Sequence, residues 1–168
     1  SWLGILGFFQ KAAYVVGGER FSLSDIEHGV LRSNRGFPYL PGPHFSPQDP
    51  RKEAVIQEMD PRIHFALNCA SNACPPIGVY TPEKIDQQLD LAARSFINAD
   101  SIINPNNQEL SISKIFNWYK DDFGGEEGIF QTLETYLEVP DSISQKQELL
   151  ANYRLRYRPY DWGLNRLS

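Results

Sequence analysis

Apolar residues recur every three or four positions in several stretches of the chain, which is the spacing of amphipathic helices. The longest such stretch runs from Thr81 to Ile97. Thr81 is its expected N-cap, and Pro82 occupies the first helical position, where a missing N–H costs nothing. Ser142 with Gln145 predicts a cap for a later helix. The further predicted helices cover residues 112–119, 127–137 and 142–151.

The first third of the chain carries a hairpin signal and a helix-start signal. Gly17-Gly18 separates two short apolar runs, and a glycine pair supplies the positive φ angles of a tight hairpin. Ser24 is followed three residues later by Glu27, which predicts a capping box and a helix that ends near Arg32.

Proline interrupts any regular pattern over residues 34–50, so we expect an irregular loop that is long enough to act as a lid or a wrap. A short helix is predicted over residues 51–59, a buried strand over residues 63–68, and a final strand within residues 153–160. The predicted fold is therefore α+β, a single domain over residues 1–168 in which several helices pack on a small, mainly antiparallel sheet.

Composition limits the classes of function. Hydrophobic residues make up 41% of the 168 residues, enough for a real core. The net charge of −5 argues against nucleic-acid binding, which needs a basic face. The apolar residues 1–9 are too short to span a membrane and lack the flanks of a signal peptide, so we interpret them as a core segment. The compartment stays open.

Chemistry is expected in the stretch from His64 to Pro76, where an apolar run leads into a loop of small residues that carries a thiol. Cys69 is the candidate nucleophile, and backbone amides near Ala70 and Ser71 are the candidate oxyanion hole. The alternative is that Cys69 is a buried cysteine acting as a small hydrophobe. With only two cysteines, a Cys69–Cys74 disulfide would close a very small loop and add little stability.

A nucleophilic cysteine needs a base, and the chain has three histidines. Alternation along the predicted strand directs His64 away from Cys69, which favours a structural role. His44 lies in the proline-rich loop and has no assigned role. His28 is expected in the first turn of its helix, where the helix dipole favours the neutral, basic imidazole. Glu27 is the candidate orienting or substrate-binding carboxylate, although it also fits the cap and neighbouring helix positions diverge.

Two further readings of these residues are weaker. His28, His64, Cys69 and Cys74 would supply four zinc ligands, but the tight knuckle of zinc sites is missing, so we expect neither metal nor cofactor. The polar and aromatic residues 161–165 predict a tail that Trp162 docks onto the core.

These residues resemble the domain of unknown function 547 family (DUF547). The resemblance lies in four segments: residues 21–32 (FSLSDIEHGVLR), 60–69 (DPRIHFALNC), 74–76 (CPP) and 160–165 (YDWGLN). It implies a papain- or transglutaminase-like thiol chemistry in which Cys69 and the Glu27-His28 pair are the functional residues. The family usually carries a further N-terminal helical segment, which this chain lacks. We therefore expect residues 1–168 to be the C-terminal major part of such a domain, with the missing segment as a partner.

The leading hypothesis is a cysteine hydrolase or transferase acting on a peptide or a glutathione-like amide. Cys69 would be the nucleophile, His28 the base and Glu27 the third member of the site. The residues expected to contact the ligand are Asn68, Ala70, Ser71, Cys74 and Arg62. In plants, similar domains follow a coiled-coil segment, so the alternative is a non-catalytic ligand- or protein-interaction domain.

Overall fold

The computed structural model describes residues 2–40, 42–140 and 146–165. The chain divides into two compact units, Ser1–Asp60 and Pro61–Ser168. The fold is α+β, with small sheets and several helices, as the sequence predicts. The described residues form two sheets, one of two strands and one of three. The prediction of a single domain over residues 1–168 stays a prediction.

The first unit begins with helix α1 (Trp2–Lys11) and a hairpin of strands β1 (Ala13–Val16) and β2 (Glu19–Ser22). The strands pair antiparallel, with Ala13 opposite Ser22. Gly17 and Gly18 connect them at φ angles of 61° and 87°, the left-handed region in which only glycine is comfortable. The predicted hairpin is confirmed.

A π-helix (Asp25–Leu31) follows, and its capping differs from the prediction. Ser24 has helical backbone angles and makes no side-chain cap. The capping box is two residues earlier: the Ser22 amide donates to the Asp25 carboxylate at 2.7 Å, and the Asp25 amide donates to the Ser22 hydroxyl at 3.0 Å. The predicted Ser24/Glu27 box is therefore wrong, and capping does not account for Glu27.

Hydrogen bonds and ion pairs hold the proline-rich loop against the rest of the first unit. Asn34 exchanges two hydrogen bonds with the backbone of Phe45, whose side chain is 1% exposed. His44 Nε2 lies 2.7 Å from Asp25 Oδ1, and Arg51 Nη1 lies 3.0 Å from Asp25 Oδ2. Instead of the predicted helix over residues 51–59, a shorter 3₁₀ helix covers Pro50–Ala54. Through these contacts the loop packs along the first unit, which corresponds to the predicted wrap.

The second unit contains the remaining helices and the larger sheet. Its longest helix is α2 (Ile85–Asp100), which a 3₁₀ turn (Pro82–Lys84) precedes, and Thr81 makes no side-chain cap. The other elements are β3 (Ile102–Asn104), β4 (Glu109–Ile112), α3 (Ile115–Trp118), α4 (Gly125–Tyr136), α5 (Lys146–Asn152) and β5 (Arg154–Tyr157). Strand β4 is central, antiparallel to β3 and parallel to β5.

Two predicted elements of this unit are corrected by the structure. Residues 63–68 do not form a strand, because Pro61–Phe65 is a 3₁₀ helix in which three successive side chains are buried. The predicted helix over residues 112–119 is shorter, since Ile112 still belongs to β4. Ser142 and Gln145, the predicted cap of α5, lie outside the described residues.

The hydrophobic core of the second unit joins α2, α4, the central strand and the 3₁₀ helix. Its buried members are Phe65, Ala93, Phe96, Ile97, Leu110, Ile112, Ile115, Phe116, Phe123, Ile129, Leu133, Leu137 and Leu149. Four of its rings cluster, with Phe65 packed 5.4–5.7 Å from Phe96, Phe116 and Phe123. Among the described residues, no helix combines the length and the apolar character needed to cross a membrane.

Candidate functional site

The cysteine loop, residues 69–74, follows the 3₁₀ helix of the second unit. Cys69 and Cys74 are joined in a disulfide, with their Cα atoms 6.0 Å apart. In this form Cys69 carries no thiol, so the predicted nucleophile exists only after reduction. The same bond takes two of the four side chains that were considered as zinc ligands.

Asn68 fixes the shape of the cysteine loop from its base. Its side-chain oxygen accepts a hydrogen bond from the Ala70 amide at 2.8 Å, and its side-chain nitrogen donates to the Pro75 carbonyl at 2.5 Å. Ala70 has a φ angle of 63°, which is unusual for a residue with a Cβ atom. Since the Ala70 amide is already hydrogen-bonded, the Ser71 amide is the better candidate for the predicted oxyanion hole.

The C-terminal segment pairs with the cysteine loop through its backbone. Ser71 forms a β-bridge with Leu164, and hydrogen bonds flank it on both sides: Asn72 N donates to Gly163 O at 2.7 Å, and Asn165 N donates to Ala70 O at 2.9 Å. The tail is therefore docked, as predicted, but mainly by its backbone.

Side chains support the same pairing. The Asp161 carboxylate accepts hydrogen bonds from the Gly163 amide at 2.8 Å and from the Asn72 side chain at 3.0 Å. These two bonds hold the pKa of Asp161 below its ordinary value. Trp162 remains 43% exposed and packs against Trp118 and Tyr160, with ring centroids 5.5 and 4.6 Å apart.

The Tyr160 hydroxyl lies beside both sulfur atoms, 3.3 Å from Cys69 Sγ and 3.2 Å from Cys74 Sγ. Ser71, which is 2% exposed, places its hydroxyl 3.3 Å from Cys69 Sγ and donates to the Tyr160 oxygen at 3.0 Å. Because Ser71 donates its proton to Tyr160, the Tyr160 hydroxyl is the hydrogen-bond donor that a thiolate formed at either sulfur would meet.

The predicted partners Glu27 and His28 lie together in the first unit. His28 is in the last turn of the π-helix rather than in a first turn, so the expected effect of a helix N-terminus does not apply. Glu27 Oε1 lies 3.8 Å from His28 Nδ1 because the long glutamate side chain reaches its neighbour despite the divergent helix positions. His28 is 7% exposed and packs on Phe37 with ring centroids 4.2 Å apart.

Arg32 determines the hydrogen bonding of the His28 ring. Its buried guanidinium donates to the Gly36 carbonyl and lies 3.2 Å from His28 Nδ1. A guanidinium has only donors, so Nδ1 accepts this hydrogen bond and the ring proton resides on Nε2. In this tautomer Nε2 is a hydrogen-bond donor and not an acceptor.

His64 is the structural histidine that the sequence predicts, although its element is a 3₁₀ helix and not a strand. Its Nε2 lies 2.9 Å from Asp122 Oδ2, both side chains are 1% exposed, and its ring stacks on Tyr119 at 3.8 Å. Packing and hydrogen bonding are sufficient to explain a buried histidine that is paired with a buried aspartate.

The remaining predicted site residue, Arg62, is engaged with helix α2. Its guanidinium pairs with Asp86 and Asp90, each at 2.7 Å. Within the described residues, no group of three or more His, Cys, Asp or Glu side chains has a geometry that could hold a metal ion.

The sequence profile of a known family matches residues 3–97, more than half of the chain. The family is described as "Protein of unknown function, DUF547". This chain belongs to the DUF547 family. The matched part of this DUF547 chain contains Glu27, His28, Cys69 and Cys74. Searches of curated proteins and of solved structures gave no match.

Two residues of the site environment were not predicted as such. Tyr160 lies outside the part matched by the DUF547 profile, 91 positions from Cys69. The signal for Tyr160 is the resemblance of residues 160–165 (YDWGLN), because the predicted docked tail covers only residues 161–165. Asp122, the partner of His64, has no signal in the sequence beyond its place in a polar stretch.

Proposed function

We propose that this DUF547 chain is a cysteine-dependent hydrolase or transferase with a papain- or transglutaminase-like core, acting on the amide of a peptide or a glutathione-like molecule. Reduced Cys69 is the nucleophile. The observation that carries the proposal is the Tyr160 hydroxyl, 3.3 Å from Cys69 Sγ, whose oxygen accepts a hydrogen bond from Ser71 and whose own proton is directed to the sulfur. Hydroxyl donors stabilise a thiolate, which is the attacking form of cysteine.

The backbone of the loop supports the same proposal. Asn68 and the tail fix the segment from Ala70 to Asn72, so the sulfur is held in one position before a substrate arrives. Ala70 keeps a left-handed conformation, and non-glycine residues in that region are frequent at functional sites. The Ser71 amide is the proposed donor to the developing oxyanion.

In the proposal, Glu27 has the role of the carboxylate and His28 that of the base. A base role requires His28 to accept a proton, which is at odds with the hydrogen bond that Arg32 donates to Nδ1. The proposal therefore includes the release of Arg32 from the ring when the base acts. An Arg32→Gln variant tests this step, because it removes the fixed cation beside the imidazole.

The test uses the reduced protein and an activated acyl ester, with the acyl-enzyme detected by intact mass spectrometry. We expect one acyl group on wild-type protein and on Cys74→Ser, in which Cys69 cannot be lost to the disulfide. We expect none on Cys69→Ala, and slower acylation of His28→Ala. Iodoacetamide should also modify Cys69 faster than a free thiol does near pH 6, where an ordinary cysteine of pKa about 8.5 is almost fully protonated. Acylation that is equal in wild type and Cys69→Ala would overturn the proposal.

A non-catalytic interaction domain is the second candidate. Ile77 and Val79, just beyond the cysteine loop, are each 84% exposed, which is more typical of a contact surface than of a core. A Cys69→Ala variant that retains the biological effect of the parent, while Ile77→Ser loses it, would favour this role.

A further inference from the structure

We propose that Cys69 and Cys74 form a reversible dithiol–disulfide centre in which Cys69 accepts the incoming thiol and Cys74 is the leaving sulfur. The co-reactant is a low-molecular-weight thiol of the glutathione class. This reaction is an exchange at sulfur and not an acyl transfer. It therefore does not require the proposed hydrolase activity, although both use Cys69.

The two sulfur atoms have unequal hydrogen-bond surroundings. Cys74 Sγ lies 2.9 Å from the Cys69 backbone nitrogen and 3.2 Å from the Tyr160 hydroxyl. An N–H group can only donate, so Cys74 has a fixed donor in addition to the hydroxyl. In the part of the chain that the structure describes, the hydrogen-bonding neighbours of Cys69 Sγ are the hydroxyls of Ser71 and Tyr160. A thiolate on Cys74 is the better stabilised of the two, and the better leaving thiolate leaves faster.

Ser71 directs the proton of Tyr160 toward the sulfurs. The Ser71 hydroxyl donates to the Tyr160 oxygen at 3.0 Å, which occupies an acceptor position of that oxygen and leaves its own proton to be donated. The disulfide is within reach of that proton, 3.2 Å away at Cys74 Sγ. Tyr160 thus acts as a hydrogen-bond donor to the sulfur that carries the developing charge.

The loop keeps the two sulfurs available for each other. They are separated by five positions in sequence, so the bond closes a short loop and adds less stability than a disulfide between distant positions would. Asn68 joins both ends of this loop, and the tail pairs with Asn72 and Ala73 between the cysteines. Because this bracing does not depend on the disulfide, the reduced cysteines stay close and the bond can re-form.

The reaction balances with two equivalents of thiol. A thiolate RS⁻ attacks Cys69 Sγ, the Cys69–Cys74 bond breaks, and Cys74 departs as the thiolate. A second RS⁻ then attacks the outer sulfur of the mixed disulfide, which releases Cys69 as the thiolate and RSSR as the oxidised product. Two protons from the two RSH molecules end on the two protein thiols, so the net change is one disulfide exchanged for another.

The test measures reduction by glutathione and traps the mixed disulfide, on full-length protein. Wild-type protein should change from oxidised to reduced within a range of glutathione ratios, as followed by alkylation and mass spectrometry. When oxidised wild-type protein is treated with glutathione and quenched with iodoacetamide, peptide mapping should find glutathione on Cys69 and the alkyl group on Cys74. The reverse arrangement should be about tenfold rarer or absent, because Cys74 is the favoured leaving sulfur.

Tyr160→Phe should slow reduction by about tenfold or more, the effect of one lost hydrogen bond to a charged group. Tyr153→Phe is the matched control and should leave the rate unchanged. Ser71→Ala gives a second measure of the same hydrogen bonds should Tyr160→Phe disturb the fold. A disulfide that glutathione does not reduce at any ratio, or adducts that form equally on both cysteines, would overturn the proposal. Acyl-enzyme formation without thiol exchange defeats this inference alone, and exchange without acylation defeats only the proposed hydrolase.

Discussion

Each of the two units of this DUF547 protein is stabilised internally by a different kind of contact. The unit of residues 61–165 has a continuous apolar core, in which Phe65 contacts three other phenylalanine rings. The unit of residues 2–60 depends more on polar contacts, since Asp25 alone binds Ser22, His44 and Arg51. The stability that core packing contributes does not depend on pH, whereas the stability that a carboxylate network contributes does. We therefore expect cavities in the core to destabilise the second unit most, and loss of the Asp25 charge to destabilise the first unit most.

The largest effect is expected from Phe65→Ala in the second unit. Phe65 is 1% exposed, and truncation of a buried phenylalanine costs about 3–5 kcal/mol of unfolding free energy because it leaves a cavity. Urea unfolding measures the loss, and peptide-level hydrogen exchange shows whether it is confined to residues 61–165. Phe8→Ala is the matched control, because Phe8 is 59% exposed and its removal should change stability by less than about 0.5 kcal/mol.

A smaller effect is expected from Gly29→Ala in the first unit. A Cβ atom on Gly29 would lie 2.3 Å from Phe45 Cε2, so the buried ring must move. Such overpacking costs about 1–3 kcal/mol. A Phe45→Leu change should recover part of the loss in the double variant, as urea unfolding would show. Gly7→Ala is the control, since nothing lies within 4 Å of its added Cβ atom, and a Gly→Ala change in a helix is neutral or stabilising.

Asp25→Asn tests the charge network and its pH dependence. Burial raises the pKa of Asp25, but the hydrogen bonds from His44 and Ser22 and the charge of Arg51 outweigh it, so the pKa lies below its ordinary value. Asp25 therefore stabilises the folded state at neutral pH, and this contribution is lost as the pH falls below about 4 through the folded-state pKa. Asp25→Asn should cost about 1–3 kcal/mol at pH 7 and flatten this acid-side loss.

Asp100 in the second unit gives the opposite trend and so sharpens the contrast. Burial raises its pKa, and the charge of Arg158, 2.8 Å away, only partly opposes this. Because the folded state holds the proton more tightly, the contribution of Asp100 to stability decreases as the pH rises from about 4 to the folded-state pKa. Asp100→Asn should remove that decrease. Urea titrations at several pH values measure both variants, and equal pH slopes for Asp25→Asn and the exposed control Glu53→Gln would contradict the comparison.

Regular periodicity predicted the second unit better than the first. The spacing of Leu89, Ala93, Phe96 and Ile97 identified α2, because all four are buried on one helix face. The strand predicted at Ile63 is wrong. Ile63, His64 and Phe65 are all buried, and a short, fully buried run occurs in strands and in helices alike. The sequence predicts the cap at Ser24 instead of Ser22, because both residues are serines and they lie only two positions apart.

The candidate site was predictable only in its local parts. The small-residue loop at Cys69 and the Glu27-His28 pair are visible in the sequence, and both are clusters in the structure. The hydrogen bonds of Tyr160 to the sulfurs join residues 91 positions apart, and no spacing rule reports such a contact. The hydrogen bond from Arg32 to His28 links positions four apart, yet the helix pattern does not indicate which ring nitrogen receives it.

The parallel pairing of β4 with β5 has a consequence for biosynthesis. Residues 109–112 pair with residues 154–157, and the cysteine loop pairs with residues 161–165, so both contacts must wait for late parts of the chain to leave the ribosome. The nascent thiols of Cys69 and Cys74 consequently meet the chemistry of the cell before Tyr160 has been translated. Oxidants or thiols around the growing polypeptide therefore reach Cys69 and Cys74 before the Tyr160 hydroxyl lies beside them.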